Sequence, residues 1–200
     1  MNELEKMLRG EVAVDGAEAA AERFAERAAA EGLLDVAYAT VDSPLGKLLA
    51  AQTKRGLVEL AYEDRDADAL LAELSSKLSP RLLEAPAQFD DVRRQLEEYF
   101  EGRRTGFDLP IDWSLSQGFT QRILQATAKV PFGQLATYRD MATKAGNERA
   151  VRAAGNALGS NHIPIVVPCH RIIRTGGALG GYTGGLERKE FLLKLEGVLL

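Results

Sequence analysis

"VAYATVDSPLGKLLAAQTKRGLVELAYE", from Val36 to Glu63, decides the fold class of the first half of this chain. Apolar and polar side chains alternate with period two through three short runs, as in strands that cover a core on one face. Turn-forming residues break the runs at "SPLG" (Ser43–Gly46) and "TKRG" (Thr53–Gly56). Connections this short join antiparallel neighbours, so a small antiparallel meander is expected. On its C-terminal side, "DADALLAELSSKL" (Asp66–Leu78) and "DDVRRQLEEYFEG" (Asp90–Gly102) place apolar residues at helical spacing. "GFDLPIDWS" (Gly106–Ser114) reads as an extended linker. On its N-terminal side, "DGAEAAAERFAERAAAEG" is alanine-rich, can start on an Asp15 cap and stops at Gly32. Its few apolar anchors predict a loosely docked helix or a mobile extension over residues 1–34.

Beyond Ser116 the pattern turns helical. "GFTQRILQATAKV" is amphipathic and stops at Pro131, "ATYRDMATKAG" is a short helix closed by Gly146, and "NERAVRAAGNALGSN" follows a very short turn. Two short helices joined this way form the helix-turn-helix pattern of DNA-binding domains, a pattern also shared by hairpins that merely pack. "IPIVVP" (Ile163–Pro168) reads as a short apolar strand or extended segment between prolines. "RTGGALGGYTGG" follows with six glycines in twelve residues, then a final helix, "LERKEFLLKLEG". The loop lacks both G-x-G-x-x-G and G-K-[ST], so it is not a nucleotide-phosphate cradle; its glycines suit close approach of backbone to a ligand. The expected architecture is α+β: an extension over 1–34, a sheet domain over 35–112 and a helical domain over 113–200.

Two hundred residues, 46% of them apolar, suffice for a real core. No run approaches the apolar length of a membrane span, and "MNELEKMLRGEVAVDG" lacks the apolar centre of a signal peptide. One cysteine excludes an intrachain disulfide, which fits a reducing cytoplasm. The formal charge of -4 is split unevenly. Residues 1–115 carry 14 Lys+Arg against 24 Asp+Glu, a net of -10, and residues 116–200 carry 11 against 5, a net of +6. A basic second half points to an anionic partner.

The single cysteine, Cys169, lies in "PIVVPCHRIIR" (Pro164–Arg174). With only His162 and His170 as histidines, a closed Cys/His zinc set cannot be assembled, so no metal is expected. A lone cysteine is ordinarily a small buried hydrophobe. Its neighbours favour a nucleophile: Pro168 stiffens the backbone, His170 can raise thiolate character, and Arg171 and Arg174 add positive potential. Consecutive side chains rarely face each other, so His170 would act through a water molecule or by orientation. A Cys-His hydrolase stays open at this point and needs an oxyanion hole and an orienting partner.

"IPIVVPCHRIIR" closely resembles the P-C-H-R-[VI] segment of the O6-alkylguanine-DNA alkyltransferases, the methylated-DNA–protein-cysteine methyltransferase family. The resemblance runs over roughly residues 36–200. It is carried also by "SPLGKLLAAQTKRGLVEL", "QLEEYFEGRRTGFDLPID", "VPFGQLATYRDMA", "AVRAAGNALGSN" and "GGYTGGLERKEFLLKLEG", all in family order. It implies a ribonuclease H-like sheet domain followed by a winged-helix-like DNA-binding catalytic domain. The implied activity is single-turnover transfer of an alkyl group from guanine O6 in double-stranded DNA to Cys169, with O4-alkylthymine as a second candidate substrate. No cofactor is implied, and a cytoplasmic monomer is expected. The alternative within the family's relatives is a damage sensor that lacks transfer; those proteins replace the cysteine that is present here.

By the same resemblance, His170, held by Glu196, takes the thiol proton through a water. Tyr138 donates towards guanine N3, Asn161 fixes the turn beside the cysteine, and Arg152 fills the space of a flipped base. Ala153, Ala154, Gly155 and Ala157 let the second helix approach the minor groove closely. Arg171 joins the DNA contacts. Leu158, Pro164, Ile172, Tyr182, Thr183 and Lys189 form the substrate pocket, with Cys169 and Ile172 backbone atoms reading the exocyclic amine and Thr183 contacting O6. The sequence departs from the family where Asn161-His162 replaces Asn-Pro, which is expected to loosen the turn and put a titratable group near the pocket. Thr120, Leu124 and Phe132 are further departures, expected to affect packing.

Overall fold

The computed structural model describes residues 14–198; the part of the N-terminal expectation that falls on residues 1–13 lies outside them. Helix α1 spans Val14–Ala30 with Asp15 inside it, and the chain turns at Gly32 with φ +72°. The helix is docked: Ala25 and Ala28 are buried in the main core together with Leu34. Their methyl groups are the anchors that a search for large apolar residues overlooks.

Strands β1 (Val36–Val41), β2 (Leu48–Thr53) and β3 (Gly56–Tyr62) form the expected antiparallel meander, paired from Val36↔Thr53 to Val41↔Leu48 and from Leu48↔Tyr62 to Thr53↔Gly56. After helix α2 (Ala67–Lys77), a fourth strand, β4 (Leu82–Glu84), pairs parallel to β1, giving the order β3-β2-β1-β4. Three residues are too few to display a period, so this strand is invisible in the alternation. All seven residues of β3 are buried. One face meets Leu70 and Leu74 of α2 through Val58 and Ala61. The other contributes Leu57, Leu60 and Tyr62 to a core shared with the C-terminal half.

Helix α3 (Asp90–Phe100) leads into 106–114, which lies along β3: Leu57 N donates to Pro110 O and Asp112 N to Leu57 O. Helix α4 (Gly118–Thr127) ends short of Pro131. A two-residue strand, β5 (Ala136–Thr137), precedes α5 (Tyr138–Lys144). Thr137 accepts from Asp140 N while Asp140 accepts from Thr137 N, a reciprocal cap that fixes the start of so short a helix. Helix α6 (Val151–Gly159) completes the helical hairpin, and α5 and α6 both pack on α4.

Ile163–Pro168 is not a strand. It curls into consecutive turns, with Val166 N bonded to Pro164 O and Val167 N to Ile163 O. Ile165 takes φ +73°, the one left-handed residue other than glycine among the described residues. A β-branched residue there is strained and needs surrounding structure to hold it. The strand instead follows the cysteine: β6 (Ile172–Ile173) pairs parallel to β5. Helix α7 (Leu186–Leu195) closes the fold. No described helix is long and apolar enough to cross a membrane.

Candidate active site

Cys169 opens a single 3-10 turn (Cys169–Arg171), and both it and His170 are buried. The preceding turns bring Asn161 against it. Asn161 Nδ2 donates to Val167 O at 2.9 Å and to Cys169 Sγ at 3.1 Å, while its Oδ1 accepts from Ile163 N at 3.1 Å. One amide thus holds both ends of the curled segment and touches the thiol. Burial pushes the thiol up to about 11, against a smaller opposing effect of Asn161. This corrects the expectation of a thiol acidified by neighbouring charge. Arg171, its nearest cation in sequence, is spent elsewhere, so the resting group is a neutral thiol that needs a base.

The adjacent candidate is His170. Its Nε2 lies 2.8 Å from Glu196 Oε1, and Glu196 follows the last residue of α7. Glu196 also accepts from Arg171 Nε at 2.9 Å, from Tyr99 Oη at 2.6 Å and from Gly133 N at 3.2 Å. Burial opposes ionisation of this carboxyl, but hydrogen bonds from His170 and Arg171 outweigh it and hold the group down at about 2. Because Arg171 already balances the carboxylate, burial can keep the imidazole neutral, with its own affinity for a proton lowered. With Nε2–H donating to Glu196, Nδ1 is left as an acceptor, buried and with no protein partner. That is the protonation state of a general base.

The thiol opens on a cavity of about 710 Å³ between α6 and the glycine loop. Tyr138, Arg152, Gly155, Leu158, Tyr182 and Thr183, all singled out in the sequence, line it with Cys169. Val151, Asn156, Gly159, Arg174 and Gly181 line it as well. The loop lies against Tyr138, whose hydroxyl is 3.4 Å from Gly181 O. A Cβ at Gly180 would stand 2.6 Å from that hydroxyl, and Gly180 has φ +69°, so only glycine fits there.

Several expected placements are corrected. Arg171 faces inward and is buried, bonded to Glu196 and to Val130 O. Lys189 is fully buried beneath the loop instead of lining the pocket; its Nζ donates to Ile172 O at 2.6 Å and to Leu179 O, and burial lowers it to about 8. Ile172 is core, and Pro164 borders a separate cavity. Ala153 is exposed on α6 outside the cavity lining, a position open to a groove-side role. His162 does not loosen the turn: its Nδ1 lies 2.8 Å from Glu59 of β3, and its carbonyl accepts from Leu60 N. Among the groups around Glu196, the residue missed outright is Tyr99 of α3. Helical periodicity marks it as core-facing, but nothing in its neighbourhood reveals that its hydroxyl reaches a glutamate 97 positions later.

A buried cysteine with its own amide donor and a His-Glu relay, beside a helical hairpin and a cavity, defines a protein that uses a thiol nucleophile on a ligand held between helix and loop. Two family patterns match the chain: "6-O-methylguanine DNA methyltransferase, ribonuclease-like domain" over residues 36–113 and "6-O-methylguanine DNA methyltransferase, DNA binding domain" over residues 118–198. A methylated-DNA–protein-cysteine methyltransferase of Methanosarcina barkeri is 37% identical over 159 residues, covering 80% of this chain and 96% of its own. The constitutive enzyme of that name from Bacillus subtilis is 37% identical over 163 residues, covering 80% and 94%. The solved Mycobacterium tuberculosis OGT in complex with DNA superposes with a TM-score of 0.69 at 35% identity, over 80% of this chain and 93% of that one. This chain belongs to the 6-O-methylguanine DNA methyltransferase family.

Proposed function

We infer that this protein repairs DNA by direct reversal, moving an alkyl group from guanine O6 to Cys169. The observation that carries the reading is the Asn161–Cys169 and His170–Glu196 arrangement at the edge of a cavity walled by α6 and a glycine loop. His170 accepts the thiol proton through a water at Nδ1, Sγ attacks the alkyl carbon, and the carbon–O6 bond breaks. Tyr138 donates towards the purine as it leaves with the bonding pair. The product is a stable thioether, so each molecule reacts once and needs no cofactor.

The base must be extruded from the duplex to reach a buried thiol, at a cost of about a few kcal/mol. Arg152, exposed at the start of α6, is suited to fill the vacated space, and Arg174 adds a cation at the rim. The small faces of Ala153 and Gly155 suit close approach of α6 to a minor groove. One copy carries every group named here, so the reading takes the protein as a monomer, working in the cytoplasm on double-stranded DNA.

The test is intact-chain mass after incubation with a duplex containing one O6-methylguanine. A single methyl increment on a peptide containing Cys169, lost in Cys169→Ala, is expected. An unmodified chain in the presence of excess damaged duplex would refute the reading.

A further inference from the structure

The wall of the cavity is held by a residue from the other half of the chain. Tyr62, the last residue of β3, meets Tyr182 hydroxyl to hydroxyl at 2.8 Å, with the rings edge to face at 6.4 Å. The glycine loop lies flat on the Tyr62 ring: a Cβ at Gly184 would stand 2.4 Å from Tyr62 Cε2. Arg188 of α7 stacks its guanidinium 4.3 Å from the same ring centroid. That guanidinium also donates to Asp64 at 2.9 Å and to Gly184 O at 3.2 Å. The ring is therefore gripped by the loop and Arg188 and is tied by its hydroxyl to Tyr182. Tyr182 in turn meets His170 edge to face at 6.3 Å.

Two cavities share this wall. Tyr182 and Thr183 line the large one with Cys169, while Tyr62 and Thr183 border a second of about 290 Å³ with Leu60, Asn161 and Pro164. Cores are close-packed, and a side chain without a filled space behind it yields. Tyr62 fills the space behind the Tyr182–Thr183 wall.

We propose that Tyr62 is a positioning and specificity-determining residue: by backing the Tyr182–Thr183 wall it limits the size of alkyl group that Cys169 can take. The proposal rests on the alkyl-transfer reading. Bond making and breaking are unchanged; only the room around the transferred carbon differs. Deleting the phenol joins the second cavity's space to the first and lets the wall retreat under a longer chain.

The experiment compares single-turnover rates on duplexes carrying O6-methylguanine and O6-n-butylguanine, read by intact-chain mass, for the parent, Tyr62→Ala, Tyr62→Leu and Tyr62→Phe. The readout is the butyl-to-methyl rate ratio within one preparation, in which the fraction of active protein cancels. Tyr62→Ala and Tyr62→Leu should raise the ratio about tenfold, the scale on which methylene-sized pocket changes act. Tyr62→Phe keeps the ring and should stay within about twofold of the parent. An unchanged ratio in folded Tyr62→Leu, with normal methyl transfer, overturns the role of Tyr62. A Tyr62→Phe ratio raised as far as that of Tyr62→Leu overturns the claim that the ring, rather than its hydroxyl, backs the wall. A parent that transfers neither group refutes the alkyl-transfer reading itself and the proposal with it.

Discussion

Glu196→Gln tests how the relay is held. The native carboxyl sits at about 2 against an ordinary 4.5, because the hydrogen bonds of His170 and Arg171 overcome burial. That difference is roughly 2.5 pH units at about 1.4 kcal/mol each, or about 3–4 kcal/mol of folding stability at neutral pH. The sign follows from a depressed acid: the contribution is complete above about pH 4.5 and is lost as pH falls towards 2. Glutamine removes it at every pH and leaves the Arg171 guanidinium buried without a counter-charge, a change that costs about 3–5 kcal/mol in buried pairs. The two routes agree. Urea unfolding at pH 7 should show Glu196→Gln destabilised by about 3 kcal/mol with unchanged m, and a shallower loss of stability than the parent between pH 4.5 and 2.5. Transfer to Cys169, measured on folded protein, should slow by about 10²–10⁴-fold, since the imidazolium loses its partner. A stability loss below about 1 kcal/mol, or an acid profile identical to the parent's, would refute the reasoning.

Free Cys169 should react slowly with iodoacetamide at pH 7–8 and faster as pH rises towards 11, because the buried thiol is raised; a plateau already reached at pH 8 would contradict this. Folding stability conferred by the protonated thiol should be complete below pH 9 and decline as pH approaches 11, which alkaline urea titration of the parent against Cys169→Ala would read. Asn161→Ala removes three hydrogen bonds around the turn and should cost about 2–4 kcal/mol in urea unfolding, with slower transfer; equal stability would show that the turn holds itself. Gly180→Ala puts a Cβ into the Tyr138 hydroxyl at a left-handed position and should cost about 1–2 kcal/mol and slow transfer, while Gly176→Ala, also left-handed but with open space around it, should spare transfer rate.

The groups proposed to react could be named from the chain alone, because each follows from local pattern or from the family's segment order. The period-two runs of Val36–Tyr62 produced the right antiparallel pairing, and the helices with glycine stops ended where they were expected. Cys169, His170, Asn161 and Glu196 do lie together. Local pattern failed where the stabilising partner is far away in sequence. Strand β4 exists because β1 offers it an edge, and Ile163–Pro168 curls because Asn161 captures both ends of it, overriding an apolar composition that suits a strand. Charge was misread for the same reason. Arg171 two positions after Cys169 implies an acidified thiol, yet its fork is taken by Glu196 and burial governs the thiol.

What only the tertiary structure decided is how the two halves cooperate. Tyr99 reaches the relay, Glu59 holds His162, and Tyr62 backs Tyr182, all from the N-terminal half. Covalent order settles which residue types are available and which helices and strands they favour, because those preferences act over a few positions. Hydrogen bonds between residues about 100 positions apart depend on the relative placement of packed elements, which no local periodicity encodes. The chain alone therefore singled out Cys169 and His170, and the packed fold decided their burial, their hydrogen-bond partners and the walls around them.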